Sequence, residues 1–194
     1  LAPILEEIVF RGIICKRLLA LGEGFAIVLS GAFFALLHGN LYQLFYAFAL
    51  GCIFGYVYVK TGNILYSIIY HVCINFTGSI VPMLLEKLPV RQEVLEILTS
   101  EETIVALMNN DMSVIEPYIS DIINLVIYSV YSMSISALAI AGFIIALINH
   151  KKVSLNSGLL PPPKQSRASI IFLNGGIAAA IAILTIQLLL SVVL

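Results

Sequence analysis

Charge is what this sequence has least of. Asp, Glu, Lys and Arg together make up 11% of its 194 residues, against about 25% in an average soluble domain. That excludes an ordinary soluble domain and a disordered chain. No sign dominates either, with Lys+Arg at 10 and Asp+Glu at 11. A nucleic-acid binder needs a basic face, so no nucleic-acid partner is expected. Cysteine is scarce as well. Cys15, Cys52 and Cys73 each sit in an apolar stretch, and no two form a C-x-x-C pair. This excludes a disulfide scaffold and argues against a cysteine-based zinc or redox site, leaving small buried apolar side chains. No basic segment with a short apolar core opens the chain, so no signal peptide is read. The start at Leu1, already in a helical pattern, reads as the C-terminal part of a longer membrane protein.

What is there is apolar: 60% of the residues are hydrophobic. An all-α, polytopic transmembrane bundle in a lipid bilayer follows, long enough for about six spans of roughly 20 residues. Residues 24–59, 61–85, 122–150 and 170–194 contain no Asp, Glu, Lys or Arg. The first run is too long for one helix, and His38-Gly39-Asn40 reads as a turn in its middle. It divides into helices near 25–38 and 42–59. Further spans are predicted from 63 to about 82, over 122–149 and over 170–194. An opening helix runs from Pro3 to about Leu21. Gly51 and Gly55 form a G-x-x-x-G that suits either close helix packing or no special role.

Two polar segments remain. Residues 86–121 hold Glu86, Glu93, Glu96, Glu101, Glu102, Asp111, Glu116 and Asp121 against only Lys87 and Arg91. They read as an extramembrane insertion with one or two amphipathic helices. Residues 150–169 hold Lys151, Lys152, Lys164 and Arg167 with no acid, and the prolines at 161–163 suit a stiff linker. Alternating spans put Lys16-Arg17, Lys60 and the 150–169 segment on one side, which is the cytoplasmic side by the positive-inside rule.

The polar residues within the spans are few. The first helix carries Glu6, Glu7 and Arg11, although a carboxylate at the bilayer centre costs about 2.5–3.5 kcal/mol on insertion scales. Glu7 and Arg11 are four apart and share a helix face. Glu6 lies about 100° round from Glu7. His38 closes one helix, and His71 and Asn75 share a face on another. At a rise of about 1.5 Å per residue, Glu6 stands roughly 16 Å above Arg17, His38 roughly 21 Å above Gly24, and His71 and Asn75 roughly 12 and 18 Å above Asn63. All could meet at one level inside the membrane.

Three motifs now stand in order. Glu6-Glu7-Ile8-Val9-Phe10-Arg11 fits E-E-x-x-x-R, Phe34-Ala35-Leu36-Leu37-His38 fits F-x-x-x-H, and His71-Val72-Cys73-Ile74-Asn75 fits H-x-x-x-N. Together they resemble the CPBP (Abi) family of CAAX prenyl proteases and bacteriocin-processing enzymes. The resemblance covers roughly residues 1–80 and implies an intramembrane glutamic endopeptidase. It implies Glu6 as the base that activates water and His38 as its holder. His71 and Asn75 would be the oxyanion donors, with Glu7 and Arg11 supporting the site. Residues 1–84 are then the peptidase core and 85–121 the acidic insertion. Residues 122–194 are two C-terminal spans joined by a basic loop.

Peptide hydrolysis needs a base, a held water and donors aimed at the developing oxyanion, so the residue types agree with the resemblance. A zinc reading would draw on His38, His71 and Glu6, but H-E-x-x-H is absent, and no cofactor is expected. The partner would be a peptide or protein substrate, anchored in or near the bilayer; the motif style points to a bacterial cytoplasmic membrane. Two other readings use the same residues: a non-catalytic immunity or scaffold protein, and a proton-relay transporter, since buried Glu and His also mark ion paths.

Overall fold

The structure is a computed structural model that describes residues 1–158, 179 and 181–186. Among the described residues it is helical throughout, with no β-strand. The helices are α1 (Ala2–Glu7), α2 (Lys16–Leu18), α3 (Glu23–Leu37), α4 (Leu41–Thr61), α5 (Ile64–Asn75), α6 (Val81–Leu85), α7 (Glu93–Thr99), α8 (Glu101–Met108) and α9 (Ile119–Asn149). Leu41–Thr61, Ile64–Leu85 and Glu116–Lys152 are long and apolar enough to cross a membrane. Helix α3 has 15 residues and spans about 22 Å, short of the roughly 30 Å hydrocarbon core. The sixth span expected at 170–194, the prolines at 161–163, Lys164 and Arg167 lie outside the described residues, apart from 179 and 181–186.

The chain forms two compact units. The first comprises Leu1–Phe76 and the described residues from Ser154 on. Its first helix is not the uniform α-helix that the sequence predicts. Ile8–Cys15 is π-helical and joins α1 to α2. Wide π turns of this kind occur often at functional sites, and this one carries Arg11 directly behind the paired glutamates.

The turn at 38–40 is where the sequence places it. Gly39 takes φ +59°, a left-handed conformation that glycine adopts without a Cβ penalty. Asn40 then caps α4, its side chain accepting from the Tyr42 amide at 2.9 Å. The two helices that this turn joins pack through glycine. A Cβ on Gly51 would stand 2.9 Å from the Gly31 Cα, whereas one on Gly55 would meet Ile27 at an ordinary 3.5 Å. Close packing therefore falls on Gly51 and Gly31 rather than on the G-x-x-x-G pair as such. Phe10, Phe34, Ala35 and Ala47 form the apolar core beside it.

The basic-loop end of the first unit is tied down separately. Lys60 Nζ donates to Glu23 Oε2 at 2.6 Å, and the Asn156 amide and side chain donate to the same carboxylate at 2.9 Å each. Cys15 is buried here, but Cys73 is exposed, a correction to the reading of all three thiols as buried. It stands on α5, where an apolar thiol suits lipid as well as a core.

The second unit is Thr77–Val153. Its acidic segment contains the two short helices α7 and α8. Arg91 ties the chain ahead of α7 to the start of α9: its amide donates to Asp121 Oδ1 at 2.8 Å and its Nη2 to Asp121 Oδ2 at 2.7 Å. Nη2 also donates to the Pro117 carbonyl, and the guanidinium lies over the Tyr118 ring. The side-chain hydrogen bonds to Asp121 push the Arg91 guanidinium pKa up from its ordinary value. Helix α9 has 31 residues and buries only Asp121.

Candidate active site

Each motif delivers its residue to one region of the first unit. Glu7 and Arg11 are both fully buried, with Arg11 Nε 3.2 Å from Glu7 Oε2. The four-residue spacing keeps the two on one face, as the sequence predicts, even through the π-helical turn. This contact is an ion pair and not a hydrogen bond: Arg11 Nε, Arg11 Nη1 and Glu7 Oε2 have no hydrogen-bond partner among the described residues. The guanidinium is held by other means. Nη2 donates to the Gly51 carbonyl at 2.8 Å, and Cζ lies 4.8 Å from the Phe34 ring centroid and 5.5 Å from that of Phe54. An aromatic cage of this kind offsets part of the cost of burying a cation.

His71 comes from α5 and is 3% exposed. Its Nδ1 lies 2.9 Å from Glu7 Oε1. A carboxylate only accepts, so Nδ1 carries the proton and donates. The other ring nitrogen, Nε2, lies 3.7 Å from Glu6 Oε2. Adjacent carboxylates thus have opposite surroundings. Glu7 is enclosed between Arg11 and His71, while the Glu6 side chain keeps 26% of its surface open.

His38 closes α3 and is half-buried. Its Nδ1 donates to the Phe34 carbonyl at 2.8 Å, which leaves Nε2 of a neutral ring as a bare acceptor. Phe34 stands between the two histidines, with ring centroids 4.8 Å from His38 and 5.4 Å from His71. Asn75 is exposed on α5, one turn beyond His71. The structure therefore brings Glu6, Glu7, Arg11 and His71 together directly and links His38 to them through Phe34. Asn75 is exposed and joins the cluster through no contact that these residues make directly.

Among the described residues, no group of three or more His, Cys, Asp or Glu side chains could hold a metal ion. His38, His71 and Glu6, the set a zinc reading would need, form no such group.

Sequence reasoning missed the part played by α4. Gly51 supplies the Arg11 acceptor through its backbone, and Phe54 stacks on His71 with centroids 5.0 Å apart at 25°. No motif falls on this helix. The only signal was Gly51, legible as a small residue and not as an acceptor.

A helical membrane protein with a carboxylate–guanidinium–imidazole cluster buried in its first unit is the class that fold and site define. Residues 1–77 match the family model of Type II CAAX prenyl endopeptidase Rce1-like. The match takes in Glu6, Glu7, Arg11, His38, His71 and Asn75 and agrees with the resemblance drawn from the three motifs. No curated protein and no solved structure matches the chain.

Proposed function

We propose that the chain carries an intramembrane endopeptidase centre that hydrolyses a peptide bond near the membrane surface with a Glu6-activated water. The observation that carries this reading is the unequal pair of carboxylates. Glu7 is sealed by Arg11 and His71, whereas Glu6 is open enough to meet water. Adjacent carboxylates in different environments take different roles.

Glu6 takes a proton from water as the hydroxyl attacks the scissile carbonyl, and returns it to the leaving amine. His38, its Nδ1–H committed to Phe34, offers Nε2 as an acceptor that holds the water. The exposed Asn75 carboxamide donates to the oxyanion. His71 joins it when Nε2 also carries a proton, since Nδ1–H is already given to Glu7. Glu7 and Arg11 fix the His71 ring and do not touch substrate. The centre works without a metal.

The test is cleavage of membrane peptides by the purified full-length protein in detergent, wild type beside Glu6→Gln, with and without a strong chelator. Turnover should vanish in Glu6→Gln and survive the chelator. Turnover retained by Glu6→Gln would refute the base assignment. Turnover lost to the chelator and restored by zinc would move His38 and His71 to metal ligation. Asn75→Ala should lower kcat by about 10²–10³-fold, and an unchanged kcat removes it from the oxyanion role.

A further inference from the structure

We propose that Phe54, on α4, is a positioning residue of this centre and sets the plane of the His71 imidazole; the inference rests on the peptidase reading above. Three observations lead to it. Phe54 is completely buried. Its ring lies nearly parallel to the His71 ring, 25° apart with centroids at 5.0 Å, whereas Phe34 meets the same imidazole edge-on at 78°. One face of His71 is thus covered by a stacked ring and its edge is fixed by another.

The Phe54 backbone is anchored to the helix that carries His71. Ser67, one turn before His71 on α5, donates its hydroxyl to the Phe54 carbonyl at 3.0 Å, also buried. The register between α4 and α5 is therefore set beside the imidazole.

The hydrogen bond to Glu7 alone does not determine the ring plane. A ring held at Nδ1 by one hydrogen bond can still shift through coupled χ1 and χ2 rotation, and that shift carries Nε2 away from Glu6 and the reacting atoms. The stacked phenyl removes this freedom. Phe54 touches neither substrate nor water in this role. It acts through His71.

The same helix face also holds the buried guanidinium of the site. Gly51, one turn before Phe54, accepts from Arg11 through its carbonyl. Helix α4 thus serves as the back wall against which both Arg11 and His71 are set.

The test uses full-length protein labelled at histidine, with His71 assigned by difference from His71→Asn among the three histidines. Phe54→Leu is compared with Phe48→Leu, a control on the same helix at an exposed position. Loss of the stacked ring should move the His71 ring-proton resonances downfield, because the phenyl ring current no longer shields them. It should also lower kcat about tenfold with KM nearly unchanged, the cost of a misdirected group. Phe48→Leu should do neither.

An unchanged kcat, or a lowered kcat with unmoved His71 resonances, overturns the proposal. If the wild type cleaves no peptide, the peptidase reading fails but a second arm still decides: faster exchange of the His71 Nδ1–H given to Glu7 in Phe54→Leu supports positioning by Phe54, and an unchanged exchange rate refutes it. If Phe54→Leu does not fold, Phe54→Met replaces it, because Met fills irregular core space without an aromatic ring.

Discussion

Two arginines, one in each unit, show what burial does to a charge. Arg11 is fully buried, with Glu7 beside it, one carbonyl acceptor on Gly51 and aromatic rings around it. Arg91 keeps nearly half its side chain exposed, yet makes more hydrogen bonds, to both carboxylate oxygens of Asp121 and to the Pro117 carbonyl. The better-bonded arginine is the one that needs its bonds less, because water is available to it. Arg11 has fewer bonds and more dependence on each. Structural clamps tolerate exposure; a buried cluster is kept where its low dielectric and fixed dipoles serve chemistry.

The largest effect that would break this comparison is on stability. Arg11→Ala leaves Glu7 as an unpaired buried carboxylate, which typically costs about 3–5 kcal/mol. Arg91→Ala should cost less, since Arg91 is itself nearly half exposed and the buried Asp121 keeps the backbone amide of residue 91 as a donor. Thermal unfolding of both variants in one detergent measures the difference. Equal losses would mean that burial in the first unit confers no special dependence. A folded but inactive Arg11→Ala protein would move Arg11 from support into the chemistry.

Much of this contrast was legible in the sequence. The i, i+4 spacing of Glu7 and Arg11 gave the pair, because side chains four apart meet on any helical turn. The His38-Gly39-Asn40 turn was legible because Gly and Asn have local conformational preferences that do not depend on the fold. The axial depth estimate correctly allowed Glu6 and His71 to meet, although tilt was ignored. The bond between His71 and Glu7 was not legible: residues 64 apart are joined only by packing. The Gly51 carbonyl was invisible for a different reason, since every residue has one and only the fold decides which is aimed at a cation. The π-helical turn over Ile8–Cys15 has no signature that hydrophobic periodicity could reveal, because its residues are apolar on most sides.

A middling effect sharpens the comparison within α4. Gly51→Ala must force α3 and α4 apart at Gly31, and overpacking of this kind costs about 1–3 kcal/mol. It also displaces the carbonyl that holds Arg11, so activity should fall with stability. Gly55→Ala has room for its methyl and gains helix propensity, up to about 1 kcal/mol. Melting temperatures of the pair should move in opposite directions. If both fall alike, the whole G-x-x-x-G face is tightly packed, and the distinction drawn between the two glycines is lost.

The smallest effect belongs to the exposed cluster of the first unit. The hydrogen bond from Lys60 holds the Glu23 carboxyl below the usual carboxylate range, with the Asn156 amide adding to it. A carboxyl lowered in the folded state contributes fully above its unfolded value and loses that contribution as pH falls through the folded one. Acidification should therefore release the Asn156 strap while leaving the buried cluster in place. Amide exchange at Asn156, referenced at each pH to a helical amide of α4, should quicken below the ordinary carboxylate range. Glu23→Gln should show the faster exchange at every pH, because the neutral amide no longer attracts Lys60. If Asn156 exchange in the wild type keeps pace with the reference down to strongly acidic pH, its amide is held by something other than the Glu23 charge, and the strap belongs with the buried contacts rather than with charge-dependent clamps at the surface.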